Sequence, residues 1–235
     1  VALKNLALIF PNKSVYERRK IAREMWEHLG RNFAELAFLK GDKLTARITD
    51  ISGLEHTQAP QTIYVSGHFG QWELLNSVVY DRGIPITSVY RHLNNLILDE
   101  RLKSLRLQHT THLIRKKGDS AIALVRVLNQ GMNLSLLIDQ RLTNGMVLPF
   151  LGQPARSNTA AARLALKMNL PIVPAFITRT KGAYFKAEIL PPLSVDMGGS
   201  EEEKVANLTR AFNALLEARI HSHPEQYLWL HDRWK

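Results

Sequence analysis

Apolar residues recur at three- and four-residue spacing after Ser14, at Ala22, Met25, Trp26, Leu29, Phe33, Leu36 and Ala37. That period predicts an amphipathic helix to about residue 38, and Ser14-Val15-Tyr16-Glu17 reads as the capping box that starts it. The early turns carry Arg18, Arg19, Lys20 and Arg23. Two readings of this basic stretch stand side by side: a solvated face over a core helix, or a face lying on anionic headgroups. Residues 62–66 are then β-branched and aromatic, and residues 71–80 return to a helical pattern, so His68 is expected on a strand-to-helix turn. Strand patterns at 84–90 and 111–114 alternate with helical ones at 96–108 and 120–128.

Residues 134–138 are continuously apolar, as a strand buried on both faces should be, and end in Asp139-Gln140. The Gly- and Pro-marked stretch 141–156 reads as an irregular loop. An Ala-rich helix over 157–168 and strands over 171–178 and 184–190 follow. Ser200-Glu201-Glu202-Glu203 is a second capping box, opening a helix whose apolar stripe is Val205, Leu208, Phe212, Leu215, Leu216 and Ile220. This alternation predicts an α/β layered sandwich, a mostly parallel central sheet flanked by helices, in one domain over 1–235. Ligands of such sheets gather outside the carboxyl ends of the strands. His68 and Asp139, each just past a strand end, are therefore expected on one rim although 71 positions separate them.

The composition, 45% hydrophobic and 22% charged without low-complexity tracts or repeats, is that of a folded chain and sets disorder aside. Lys and Arg number 31 against 21 Asp and Glu, a net charge of +10. That excess favours a polyanionic partner and does not by itself choose among nucleic acid, an anionic lipid surface and an acidic protein. Basic RNA-binding surfaces interleave exposed aromatics on a sheet, a pattern missing here, so nucleic acid is not expected. The absence of cysteine excludes disulfides, a thiol nucleophile and cysteine-based metal sites. No run of 18 or more apolar residues occurs, because residues 1–10 are broken by Lys4 and stopped by Pro11. The chain opens on Val rather than Met, which leaves room for an upstream segment, a membrane anchor being one form of it.

The chemistry concentrates at His68-Phe69-Gly70-Gln71-Trp72-Glu73. An imidazole on a turn and a carboxylate five positions on can fold together, the acid fixing the tautomer while the other ring nitrogen accepts a hydroxyl proton. This is the base half of a triad without its nucleophile. The other eight histidines, His231 among them, lack an acid at this spacing and are assigned no role. Serine-hydrolase, P-loop, dinucleotide and zinc-protease signatures are all missing. A base without a protein nucleophile would activate the acceptor's own hydroxyl for attack on an activated acyl group.

At these residues the chain resembles the late acyltransferases of lipid A biosynthesis, which share a core with glycerol-phosphate acyltransferases. Ser66 to Glu73 is similar to the family's His-x4-acid block, and Val89-Tyr90-Arg91 with Asn94 to its second block. Leu137-Ile138-Asp139-Gln140 with Pro149-Phe150-Leu151-Gly152 and Pro154-Ala155 resembles the third, and Pro171-Ile172-Val173-Pro174-Ala175 the fourth. Pro224 to Trp229 and Arg233-Trp234-Lys235 resemble the family's terminus. Around Asn94 the prolines usual in the second block are missing, and Arg141 stands where an acid or Lys is more usual, departures that bear on the acceptor.

The resemblance implies transfer of an acyl group from acyl carrier protein thioester to a hydroxyl of a lipid A precursor, at the cytoplasmic face of a Gram-negative inner membrane. His68 is then the general base and Glu73 its orienting partner. Gly67 and Gly70 allow close backbone approach, and Arg91 is a candidate oxyanion donor or phosphate clamp. Asn94 falls in the substrate block. Asp139 and Gln140 bind substrate or, on the reading favoured here, support the rim through Arg91 or Arg156. Arg156 is a candidate phosphate ligand, with a surface ion pair as the alternative, and Trp72 is read as packing beside the turn. Neither metal nor cofactor is expected, since the thioester supplies the driving force. Two other readings remain: an acyltransferase for another acceptor, such as a phosphatidylinositol mannoside or a glycerophospholipid, and a non-enzymatic basic membrane-binding module.

Overall fold

A computed structural model describes residues 1–38, 42–116, 120–196 and 198–234. Helices α1 (Ala2–Ile9), α2 (Val15–Phe38) and α3 (Asp42–Thr45) come first, then strands β1 (Ile48–Ser52) and β2 (Ile63–Ser66). Helix α4 (Leu75–Tyr80), strand β3 (Ile86–Tyr90), helix α5 (Leu96–Arg106), strand β4 (His112–Arg115), helix α6 (Ser120–Asn129) and strand β5 (Asn133–Leu137) follow in alternation. Strands β6 (Met146–Phe150) and β7 (Gln153–Ser157), helix α7 (Ala160–Met168), strands β8 (Ile172–Arg179) and β9 (Phe185–Ile189) and helix α8 (Glu201–Ser222) complete the order.

Seven strands form one sheet in the order β1-β9-β8-β2-β5-β3-β4. All neighbours run parallel except β8 and β9. The α/β sandwich with a mostly parallel sheet is thus the observed class. Both faces of its centre are buried, which is why these strands read as apolar runs rather than alternations. From β2, Ile63 and Val65 pack with Leu134, Leu136 and helices α6, α7 and α8, while Tyr64 faces the opposite way with Ile86, Val173 and α4. Both expected capping boxes form, Glu17 with Ser14 and Glu203 with Ser200.

Three expectations are corrected. The stretch 141–156 is not an irregular loop, because β6 and β7 pair antiparallel within it, with Pro149 opposite Pro154. A two-stranded ribbon has open edges on both strands, so prolines that would interrupt a central strand are tolerated there. That pairing also takes Ser157, and α7 begins only at Ala160. On α2, Trp26 and Phe33 are exposed, whereas Asn32 and Glu35 are buried beside Ala22, Met25 and Leu36. Those two polar side chains are kept inside by Arg179 on β8, whose guanidinium donates to both Glu35 oxygens (2.5 and 2.8 Å) and to Asn32 Oδ1 (2.7 Å).

Candidate active site

Strands β2 and β5 are parallel neighbours with Ser66 opposite Leu137, so His68 and Asp139 overhang the same end of the sheet by two residues each. Adjacent strands lie about 5 Å apart, and the two side chains meet. His68 Nδ1 is 2.7 Å from Asp139 Oδ1, and the His68 backbone N–H donates to Asp139 Oδ2 at 3.0 Å. Gly67 lets this happen: a Cβ there would sit 2.8 Å from Leu216 Cδ2 and 3.3 Å from the Asp139 Cβ. Asp139 has no exposed surface.

The acid that holds the imidazole is therefore Asp139 and not Glu73. A short 3-10 turn over Trp72–Leu74 carries Glu73 toward α5, where Arg106 Nε and Nη2 donate to its two oxygens at 2.7 and 2.5 Å. The Trp72 indole N–H donates to the same carboxylate at 3.2 Å, and the Trp72 ring lies 5.3 Å from that of His68. Trp72 is thus a wall of the site as well as packing.

His68 Nε2 faces the side-chain amide of Gln140 at 3.2 Å, and the same amide nitrogen is 3.0 Å from Nε2 of His231. The ionised Asp139 carboxylate can only accept, so in neutral His68 the ring proton sits on Nδ1 and Nε2 keeps its lone pair toward the Gln140 amide. Neither Asp139 nor Gln140 pairs with Arg91 or Arg156. Instead Arg233, itself buried, donates from Nη1 to the Asp139 carbonyl at 2.7 Å and from Nη2 to Asn213 and Ser157, with its guanidinium 3.7 Å from the centre of the Phe150 ring.

Burial opposes charging His68, but the Asp139 carboxylate and its hydrogen bond, with Glu73 behind, outweigh it and raise its pKa. Burial likewise opposes ionisation of Asp139, and the charge and bonds of His68, with Arg233, overcome it and lower the carboxyl to about 2. Burial also opposes ionisation of Glu73, and the charge and hydrogen bonds of Arg106 outweigh it and lower that carboxyl. Burial lowers His231, against the pull of Asp139 and with the push of His68, Arg233 and Arg91.

The remaining candidates fall elsewhere. Gly70, at φ +58°, makes a close approach to the protein itself: a Cβ there would lie 1.7 Å from the Ile177 carbonyl oxygen. The amides of Phe69, Gly70 and Gln71 are all taken, by Gly67, Gln226 and Ile177 carbonyls. Those three amides are therefore not available as oxyanion donors. Arg91 is exposed just past β3, within electrostatic reach of His231. Asn94 is exposed before α5, and Arg156, exposed on β7, donates to the Thr143 carbonyl.

Sequence reasoning missed Arg106, His231 and Arg233. The last two arrive because the C-terminal segment is strapped to the turn, with the Leu228 N–H donating to the His68 carbonyl and Phe69 bridged to Tyr227. The resemblance of the terminus was the one signal for them, while Arg106 had none.

The rim of this α/β sandwich thus carries a histidine held by a buried acid, its second ring nitrogen meeting the Gln140 amide rather than a serine hydroxyl. The family of bacterial lipid A biosynthesis acyltransferases matches residues 1–235, and the chain belongs to it. It is similar to the lipid A biosynthesis lauroyltransferase of Escherichia coli K12, 28% identical over 99% of this chain and 77% of that enzyme. The palmitoleoyltransferase of the same strain is 24% identical over 100% of this chain and 78% of its own length. Lipid A biosynthesis acyltransferase 2 of Shigella flexneri is 23% identical over 96% and 74%. The chain is an acyltransferase, and the reading of it as a non-catalytic basic module is set aside.

Proposed function

We propose that the protein transfers a fatty acyl group from acyl carrier protein thioester to a hydroxyl of a lipid A precursor at the cytoplasmic face of a bacterial inner membrane, with His68 as general base. The observation that carries the chemistry is the His68–Asp139 pair, with Nδ1 held by a fully buried carboxylate and Nε2 left as an acceptor. The acceptor hydroxyl takes the place of the Gln140 amide at Nε2 and gives up its proton there as its oxygen attacks the thioester carbonyl. The resulting oxyanion collapses, the carbon–sulfur bond breaks, and the imidazolium returns the proton to the departing sulfur. Products are an ester and the free thiol of the carrier protein. Proton transfer of this kind is worth about 10² to 10⁴-fold in rate.

Side chains supply the charge around the oxyanion. Gln140 is freed to donate once displaced, and Arg106, two of whose nitrogens are committed to Glu73, holds a positive charge beside the base. Arg91 on the open rim is placed to meet a phosphate of the acceptor or the acidic carrier protein, and the +10 net charge steers both. The thioester supplies the driving force. Among the described residues no helix is long and apolar enough to cross a membrane.

Mass spectrometry of the lipid after incubation with acyl carrier protein thioesters tests this reading. A mass gain of one acyl group that His68→Ala abolishes is the expected result. No gain with any thioester in detergent or vesicles would overturn the donor and acceptor, and transfer by His68→Ala would overturn the base.

A further inference from the structure

The rim that carries His68 also carries an apolar point. At the start of α5, Leu96, Ile97 and Leu98 are 67%, 83% and 57% exposed, and Leu93 just before them is 39% exposed. Helices of soluble proteins seldom open on three bare aliphatic residues, and a contiguous exposed apolar group on a rim of this kind marks an interaction surface. The point is built rather than loose. Asn95 caps the helix by accepting from the Leu98 N–H at 3.1 Å, and buried Asp99 accepts from the Leu93 N–H at 2.7 Å while lying 3.4 Å from His92 Nε2. These bonds fix the backbone so that the aliphatic side chains are turned outward.

Cations border the point. Arg91 follows β3 directly, Arg115 stands opposite Tyr90 in the β3–β4 register, and the Lys116 N–H donates to the Tyr90 carbonyl at 2.8 Å. All three are exposed. Aliphatic side chains for the acyl region next to Lys and Arg for phosphates is the composition of an interfacial membrane contact. We propose that the 93–98 segment inserts among the acyl chains of an anionic bilayer, with Arg91, Arg115 and Lys116 on the headgroups. The carboxyl rim of the sheet, and His68 with it, then faces the lipid. This rests on the proposed function only in that the acceptor is a membrane lipid. An acidic protein would also satisfy the cations; the bilayer is the occupant chosen because aliphatic side chains 57 to 83% exposed in one helical turn, beside Lys and Arg, match the acyl and headgroup layers of an anionic membrane.

The test is flotation with vesicles of phosphatidylglycerol and phosphatidylethanolamine, using the wild-type chain and a Leu96→Asp/Ile97→Asp variant. Leu107→Asp, 42% exposed just past the far end of α5, is the control. Losing the insertion of aliphatic side chains should weaken vesicle binding by roughly tenfold or more, with the control and all melting temperatures unchanged. Activity on detergent-dispersed acceptor should be retained by the variant, because neither residue touches the site. Failure of the wild type to float, or equal flotation of the variant, overturns the proposal. Normal flotation with a raised KM for the carrier-protein thioester would show a protein dock instead and also overturn it. Should the wild type float but transfer no acyl group, the functional reading fails while the membrane contact stands.

Discussion

Replacing Asp139 with Asn exchanges one carboxylate oxygen for an NH2 group and hardly alters the volume of a fully buried side chain. In the native site the two oxygens accept from His68 twice, from the backbone N–H at 3.0 Å and from Nδ1 at 2.7 Å. An amide has one acceptor oxygen. If it keeps the backbone bond, its NH2 meets Nδ1, which then has to be the unprotonated nitrogen, and the ring proton moves to Nε2 where the base is needed. The electrostatic share of this loss is the attraction between the Asp139 carboxylate and the imidazolium, the same attraction that lowers the Asp139 carboxyl against its burial. The wrong tautomer adds to it, and in serine proteases the equivalent change costs about 10⁴-fold in kcat. We therefore expect Asp139→Asn to lower single-turnover transfer by about 10² to 10⁴-fold, with a near-native melting temperature and little change in KM. The assay is transfer of isotope-labelled acyl chains from the carrier-protein thioester, followed by rapid quench. A well-folded Asp139→Asn enzyme within about threefold of wild type would refute the assignment of Asp139 as the orienting acid.

Because only neutral His68 accepts a proton and its pKa is raised, kcat/KM should climb with pH through an inflection above 6.5, read from a pH–rate profile. The same shift makes protonated His68 a stabilising group: its contribution is fully present below 6.5 and lost as pH rises through the folded pKa, which melting curves across that range would report. Glu73→Ala and Arg106→Ala should each depress activity, and the double variant should fall no further than the worse single one, because each residue holds the other. Glu35→Ala leaves the Arg179 charge buried without its partner and should cost about 3 to 5 kcal/mol, seen as a melting temperature lower by about 10 °C, with partial recovery in a Glu35→Ala/Arg179→Met double variant. Gly70→Ala should fail to fold stably, since its Cβ would lie 1.7 Å from a backbone oxygen at positive φ; soluble, native-melting protein would contradict the geometry.

The layered fold was readable because β2, β5 and β8 are buried on both faces and their apolar runs are bounded by turns. The shared rim of His68 and Asp139 was readable for the same reason, since both follow strand ends. Which acid holds the imidazole was not. Glu73 is near in sequence, but the 3-10 turn aims it at α5, whereas Asp139 becomes a neighbour only through the β2–β5 register. Strand order is a property of the packed sheet, and local spacing carries no trace of it. The polar face of α2 misled for a related reason. Periodicity counts apolar residues, and Asn32 and Glu35 are buried because distant partners satisfy them, Arg179 with charge and donors, Gln71 as a donor to Glu35 and the Gly70 carbonyl as an acceptor for Asn32. His231 and Arg233 reach the site through a terminal strap whose backbone bonds leave no pattern in the side chains.

The central claim is that Asp139 holds the proton of neutral His68 on Nδ1 so that Nε2 is the base. Ring nitrogen-15 NMR of histidine-labelled protein, with His68 assigned from the His68→Ala spectrum, measures this directly. The account predicts a protonated Nδ1 and an unprotonated Nε2 above the His68 pKa, and the reverse in Asp139→Asn. A wild-type spectrum with the proton on Nε2 would contradict it.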